Sequence, residues 1–505
     1  MNIRSRAGKA LILALFSIAL ANCGNKAGVQ PNDVESGALQ SNVTDAASRA
    51  FYKARQWQAA WHGDDEKALL AIIAGAPANA LKPDLFLKQP LPRDANAREA
   101  ALTKAALGYA SALARGYTDP SRLVEIYTIP APKTDVAAGL ANALADGKLQ
   151  DWFASLPPQT DEYRALSNAH LRYLRQAGQA NAEPVPSGKP IKAGSRDPRL
   201  AAIAASLSAT GYLPPPQDKA APPRRYSREM VAAVKRLQAD YGLKPDGVIG
   251  EDTLGAINAG PAGRARQLAI AMERLRWLER DPPATRIDVN TAAATLDFWR
   301  DGRHYDRRKV VVGEPDKPTP QIQAPIFRLV ANPTWTVPTS IAEEEISKKG
   351  SGWLAANNFV MKDGRYVQQS GPKNSLGLAK FDMDDKYAIY LHDTPAKALF
   401  GLPDRHRSHG CVRVENALQL AGDIAARQGV LGQFQRGMAS GDETFVKLKR
   451  SIPVRLLYRT AFWDGSRIEF RPDVYGRDED VAAALGLVHG APRKPYQPQG
   501  GDIGP

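Results

Sequence analysis

Two cysteines, Cys23 and Cys411, are all that the 505 residues contain. That excludes a disulfide framework and a four-thiolate zinc site, and it leaves each thiol to be explained singly. Beyond the first two dozen residues no apolar run reaches the roughly 18 residues that a membrane-spanning helix needs. No His-x-x-Glu-His pair occurs, and His392, His406 and His409 have no matched carboxylate set nearby, so neither a metal nor another cofactor is expected. No nucleic-acid motif is present, which removes nucleic acid from the expected partners. Gly (41) and Pro (38) leave room for loops but not for a collagen-like or low-complexity chain. What remains is ordinary globular material, 43% apolar and 24% charged, long enough for two to four domains. Lys and Arg outnumber Asp and Glu by 67 to 53, a net +14. Such a surplus suits an anionic lipid or an acidic wall polymer, and equally suits plain solubility.

The N-terminus is read as an address. Arg4, Arg6 and Lys9 precede a mainly apolar run, Ala10 to Ala21, too short for a permanent span. Residues 1–22 are therefore expected to be a signal peptide. Leu20-Ala21-Asn22-Cys23 resembles the bacterial lipobox, although Asn22 departs from the small residue usual before the cysteine. The resemblance implies a lipidated Cys23 as the mature N-terminus. Gly24, in place of the Asp that retains many lipoproteins at the inner membrane, implies the periplasmic face of the outer membrane of a Gram-negative cell.

Composition then divides the chain. Residues 24–45 are polar and read as a tether. Residues 46–180 are rich in Ala and Leu with helical spacing and form an expected helical scaffold without a chemical motif. The stretch 182–197 reads as a linker. In 199–258 three short helices alternate with glycine turns, and AVKRLQADYGLKPDGVIGEDTLGAIN resembles a peptidoglycan-binding domain. Its expected ligand is glycan or stem peptide, the alternative being a structural spacer. An amphipathic helix bearing Leu268, Met272, Leu275 and Leu278 follows. From Thr285 the pattern turns to strands with Asp301-Gly302 and Asp464-Gly465 hairpins, giving a mainly-β domain over 264–480 with an insertion at 338–370. The tail 488–505, with Pro492, Pro495 and Pro498, is expected to be disordered.

The chemistry lies in Tyr390-Leu391-His392-Asp393-Thr394 and Ser408-His409-Gly410-Cys411-Val412-Arg413-Val414. A thiol attacks as thiolate, so Cys411 needs a base or a positive charge beside it, and histidines and arginines crowd this segment. An inert buried thiol is the plain alternative. These motifs resemble the L,D-transpeptidase (YkuD) family, in its long, lid-bearing Gram-negative branch. VVVGEPDKPTP, ANPTWTVPTSIA, GPKNSLGLAKFDM and AIYLHDTPAKALF match that branch in order.

The resemblance implies a multidomain protein: helical scaffold, small wall-binding domain and mainly-β catalytic domain with a capping lid. It implies acyl transfer on peptidoglycan stem peptides through a Cys411 thioester, expelling D-Ala and forming 3→3 crosslinks. His392 corresponds to the general base, with His409 as the rival or support. The oxyanion hole falls to the backbone N–H groups of Gly410 and Cys411. Arg413 has three open roles: holding a stem-peptide carboxylate, lowering the Cys411 pKa, or pairing with Glu415. Tyr390, Asn374 and Trp335 are candidate substrate contacts, each with a packing or turn role as the alternative. Gly350 and Gly352 are candidate lid hinges, and Trp335 and Trp353 candidate stacking groups. On Asp393, strand alternation argues against a triad acid and leaves a backbone carbonyl to orient the imidazole. Thioester hydrolysis (L,D-carboxypeptidase activity), attachment to or release from a lipoprotein, and a non-catalytic wall-binding role are the other readings.

Overall fold

The computed structural model describes residues 34–178, 183–215 and 222–487. The expected leader 1–22, Cys23 and the tail 488–505 lie outside the described residues. Among the described residues no helix is long and apolar enough to cross a membrane.

The N-terminal part is helical, as its composition suggests. Its longest helix, Ala95–Arg115, is capped by Asp94, whose carboxylate accepts from the Ala97 N–H at 2.8 Å. Leu102, Ala105, Ala106, Ala110 and Leu113 on this helix are buried, small side chains letting neighbouring helices come close. The tether expected over 24–45 needs correction. Ser36–Asn42 is a helix, Leu39 is fully buried, and the Glu35 N–H donates to Asn96 Oδ1 at 3.0 Å. Leu39 and Val43, with Val34 beside them, are the apolar residues that dock this polar stretch on the scaffold core. The 182–197 linker is likewise pinned at its described residues: Ile191 and Ile249 exchange backbone hydrogen bonds of 3.1 and 3.0 Å, and Asn258 holds Val185 at both backbone groups.

Helices Leu200–Ala209, Arg228–Asp240 and Glu251–Asn258 surround Leu200, Ile203, Leu207, Val234, Leu237 and Ile257. The following helix, Gly260–Arg276, buries Leu268 and Met272 as its spacing suggests, but much of its polar face is buried too. Arg264, Gln267, Glu273, Arg274 and Arg276 are all buried on it. Four of them have charged or carbonyl partners: Arg276 pairs with Glu273 at 2.6 Å, Arg274 with Asp478 at 2.5 Å, and Gln267 donates to the Thr460 and Arg471 carbonyls; Arg264 lies instead among the rings of Tyr173, Tyr212, Tyr241 and Phe470. Burying the Arg276, Glu273 and Arg274 charges is tolerable because they are paired. Ile270 joins the scaffold core, whereas Leu268 and Met272 join the core of the small helical module, so this one helix links the parts.

The C-terminal part is built on strands. In chain order they are β1 (Arg286–Asn290), β2 (Thr295–Arg300), β3 (Arg303–Gly313), β4 (Gln323–Ala331), β5 (Trp335–Thr336), β6 (Phe359–Lys362) and β7 (Arg365–Gln368). Then come β8 (Ala379–Met383), β9 (Leu391–His392), β10 (His406–Ser408), β11 (Val412–Val414), β12 (Thr444–Leu457), β13 (Ala461–Trp463) and β14 (Ile468–Phe470). Nine of them make one sheet in the order β10-β3-β11-β9-β8-β4-β12-β1-β2, and β2 pairs with β3 again. The sheet therefore closes on itself, which removes the exposed edges of an open sheet. The β2–β3 turn is the predicted hairpin, Asp301 and Gly302 having φ of 52° and 78°. Val310, Val312, Leu296, Phe298, Ile326 and Leu456 fill the interior, and the helix Ala417–Arg427 packs on it through Leu420, Ala421 and Ile424.

The insertion folds into a cap of β5, β6, β7 and short helices, with its own core of Trp335, Val337, Ile341, Ile346, Phe359 and Leu376. This overturns the expectation for Trp335, which is 2% exposed in that core and is not a substrate platform. Trp353 is half-buried and stacks on Phe359 at 5.7 Å. Gly350 caps the helix Ser351–Ala356 and Gly352 lies inside it.

Candidate active site

β9 and β11 run parallel, with Leu391 opposite Val412 and His392 opposite Arg413. Residues level with one another share a face. Leu391 and Val412 belong to the barrel core, so His392 and Arg413 project from the other face, while Cys411, in the turn just before β11, joins that core and Tyr390 packs against it. Cys411 lies two residues before Arg413, the residue level with His392, so the thiol and the imidazole stand on neighbouring segments of the chain.

His392 is fully buried, and its Nδ1 meets the Asp393 carbonyl at 2.6 Å. A carbonyl only accepts, so Nδ1 carries the proton and the lone pair sits on Nε2. That is the tautomer a base needs. The Asp393 carboxylate is occupied elsewhere, accepting from the Leu378 N–H at 3.0 Å and from Lys397 Nζ. Gly377, at φ +63°, is required there: a Cβ would lie 2.4 Å from Asp393 Oδ2.

Cys411 is 6% exposed, with Sγ 3.7 Å from the Ala388 carbonyl oxygen. Burial pushes its thiol up to about 11, against the Tyr390 backbone and hydroxyl hydrogen bonds and the Lys380 ammonium, which pull it down. Lys380 pairs with His392 in register and its Nζ sits 4.2 Å from the Tyr390 ring centroid. Lowering the thiol pKa is one of the three roles open to Arg413; the cation that pulls this thiol down is Lys380, which also pairs with Asp382 at 2.8 Å. Arg413 is 1% exposed beside His392 and is not presented to solvent.

The Ser-His-Gly-Cys turn is braced from inside. Ser408 Oγ donates to the Cys411 carbonyl at 2.6 Å and accepts from the Gly410 N–H at 3.2 Å. The Gly410 N–H is thus engaged, which corrects its expected oxyanion role and leaves the Cys411 N–H as the turn's donor. Gly410 is needed for its φ of +115°, not for space, since a Cβ would find nothing closer than 3.7 Å. Thr319 Oγ1 donates to the Gly410 carbonyl at 2.8 Å and accepts from the Gly313 N–H at 2.9 Å. Thr319→Val is expected to cost about 1–3 kcal/mol, two buried backbone groups losing their partner. Its thermal midpoint and the rate of Cys411 alkylation by a small reagent should both change, and an unchanged rate would show that this brace is not needed for the turn.

His409 meets the cap: its Nε2 lies 2.8 Å from Glu345 Oε1. Next to it Lys317 pairs with Glu344 and holds that carboxyl below its usual range. Glu344, Glu345 and His409 bring three ligand atoms within 4.8 Å, but Lys317 already supplies the positive charge. Asn374, fully buried, donates to the Gln368 and Gln369 carbonyls and accepts from the Leu376 N–H. It pins the turn between cap and sheet and is not a substrate contact. The sequence assigns no role to Thr319, Ser408, Lys380, Lys317 or Glu345. Thr319 and Lys317 sit in the quoted VVVGEPDKPTP and Lys380 in GPKNSLGLAKFDM, where only the contacts reveal their parts.

Three family models match the chain: "L,D-transpeptidase catalytic domain" (YkuD) over residues 284–433, "Scaffold domain" over 46–169 and "Putative peptidoglycan binding domain" over 196–257. A Haemophilus influenzae protein described as "Putative L,D-transpeptidase" is 30% identical over 243 residues, 43% of this chain and 49% of that protein. The match thus spans about half the length of this curated relative. An L,D-transpeptidase from Xylanimonas cellulosilytica aligns at 15% identity over 54% of this chain and 100% of that one, TM-score 0.19. One from Mycobacterium smegmatis aligns at 12% over 34% and 58%, TM-score 0.21. TM-scores this low do not bear on the fold.

Proposed function

We propose that this chain, whose residues 284–433 are a YkuD-type L,D-transpeptidase catalytic domain, crosslinks peptidoglycan through a thioester on Cys411. The observation that supports it most is the placement of His392: one strand from Cys411, with Nδ1 held by the Asp393 carbonyl at 2.6 Å. His392 Nε2 takes the thiol proton as Sγ bonds to the carbonyl carbon of the third stem residue. The Cys411 N–H faces the developing oxyanion. The C–N bond breaks, D-Ala leaves with the proton from His392, and the thioester remains. An amine of a second stem then attacks, His392 accepts its proton, and the C–S bond breaks to give the 3→3 link and a reprotonated thiol.

A thiol raised to about 11 is neutral at physiological pH, so proton transfer and attack have to be coupled rather than sequential. The group's folded value exceeds its ordinary 9.0. Burying the neutral thiol therefore stabilises the fold fully below pH 9, and that contribution is lost as pH rises through about 11. Alkylation of Cys411 by a small neutral reagent should climb about tenfold per pH unit above neutrality and level off only near pH 11. Tyr390→Phe removes a hydrogen bond to sulfur and should slow alkylation at pH 8 by up to about tenfold. A plateau near pH 7 would show instead a preformed thiolate.

The same burial supports transfer over hydrolysis. Cys411 is 6% exposed, beside a turn that the cap touches through His409 and Glu345, so bulk water has little access to a thioester there. The leader and Cys23 place the protein, in this reading, as a lipoprotein at the periplasmic face of the outer membrane, with residues 196–257 docking to the wall. The test is to incubate the protein with a disaccharide-tetrapeptide and follow intact mass and muropeptides. A tripeptide adduct with 3→3 dimers is expected; an adduct yielding only free tripeptide would replace crosslinking by carboxypeptidase activity.

A further inference from the structure

Three groups gather around one ring. Tyr390 hydrogen-bonds the Cys411 thiol through its hydroxyl, meets the His392 ring at a centroid distance of 5.6 Å, and carries the Lys380 ammonium 4.2 Å from its own centroid. Lys380 stands level with His392 across β8 and β9, so the two side chains leave the sheet on one face. Ammonium and sulfur thus flank the same phenol. Lys380 nevertheless takes no part in the proton transfers assigned to His392.

The charges near the turn leave this cation able to take a further anion. Asp382 pairs with Lys380 at 2.8 Å but is shared with Arg328, so one buried carboxylate serves two cations. Lys317 is the reverse case, a single ammonium between Glu314 and Glu344. Arg413 is 1% exposed, whereas the Lys380 side chain keeps 23% of its surface open. Asp385 is the anion that opposes Lys380 at the thiol, and its effect there is the smaller of the two. Its Oδ1 is also occupied, accepting from the Tyr387 and Ile389 N–H groups at 2.6 and 3.3 Å.

We propose that Lys380 is a specificity-determining residue: it binds the terminal carboxylate of the donor peptide and so favours donors that end at the residue expelled. In such a donor the carboxylate carbon is three bonds from the carbonyl carbon that the sulfur attacks. Seating one at Cys411 therefore brings the other among the groups around Tyr390. A charge-assisted hydrogen bond from the ammonium offsets the repulsion between that carboxylate and the oxyanion forming beside it. A peptide longer by one residue has a neutral amide at the same place and gains nothing from Lys380, which makes the discrimination one of charge rather than of size. The ion pair is made with the leaving group, so the expelled amino acid carries its carboxylate away and the acyl-enzyme is left with Lys380 unoccupied. The assignment rests on the proposed function for the identity of the donor.

The test compares a stem tetrapeptide with its C-terminal amide on the full chain. Binding is measured calorimetrically with the Cys411→Ala protein, where no acylation intervenes, and acylation is followed by intact mass with Cys411 in place. The free acid should bind about tenfold or more tighter than the amide, and should acylate with a kcat/KM higher by a similar factor, mostly through KM. Lys380→Gln should make acid and amide equivalent in both assays. A loss of thiol tuning or a loosened strand slows both donors alike and leaves their ratio unchanged, so the ratio reports the carboxylate contact itself. Lys380→Arg keeps the charge and should keep the preference. No binding of either peptide, equal response of the unmodified Lys380 protein to acid and amide, or a preference that survives Lys380→Gln overturns the role. Should the glutamine variant bind neither peptide, Lys380→Arg decides: a retained preference supports the role and a lost one overturns it. Acid preference in binding without any acylation keeps the role and removes the crosslinking reading. Acylation by acid and amide alike removes the role alone.

Discussion

Replacing Cys411 with alanine is expected to erase the acyl-enzyme. The mass increase that the wild type gains from a tetrapeptide donor should vanish, and product formation should drop by about 10⁴–10⁶-fold, the scale seen when a covalent nucleophile is removed. The loss would be chemical rather than structural. Cys411 is a small member of the sheet core, and alanine deletes only the sulfur, a cost of about 1 kcal/mol. The Ser408–Cys411, Ser408–Gly410 and Thr319–Gly410 hydrogen bonds use backbone or other side chains and survive the change. Serine should not rescue it. The environment that lifts a thiol to about 11 disfavours an alkoxide even more, because hydroxyl acidity starts far weaker. Residual crosslinking by the alanine variant above background would move the protein to a non-catalytic wall-binding role, with its catalytic fold as a remnant.

The outline of this site was legible because chemistry leaves short motifs. His392, Cys411 and the two β-hairpins are local signals, read from neighbouring residues. The supports were not legible because they are contacts between distant residues. Thr319 meets Gly410 across 91 positions, and Glu345 meets His409 from an insertion whose sequence suggests only a lid. The misreadings follow the same rule. Trp335 looks like a platform by residue type, but its place is fixed by an apolar cluster that also takes in Ile346 and Leu376. Asn374 looks like a ligand group, but its amide is consumed by three backbone groups of one turn. The helix Gly260–Arg276 has the alternation of a surface helix, and its charges are inside because partners arrive from Asn79, Thr460 and Asp478. Periodicity reports which residues could be buried together; it carries no information on which charges will find a partner there.

His392→Gln should slow acylation by about 10²–10⁴-fold, the worth of a positioned general base. Glutamine keeps a polar side chain of similar reach in the strand, so β9 and its register with Arg413 should remain, but no lone pair of suitable basicity faces Cys411. The basic limb of the pH–rate profile should change with it, because proton removal would fall to solvent. His409→Gln makes the contrast. Its imidazole is held by Glu345 at 2.8 Å, so its substitution should act through the cap. The expected loss is less than about tenfold, and Glu345→Gln should give nearly the same loss. The double variant should then be no slower than either single one, since both break one contact. If His409→Gln proved the more damaging of the two histidine changes, and Glu345→Gln did not share the effect, the base would be His409. The cap contact would then be a resting arrangement that substrate displaces.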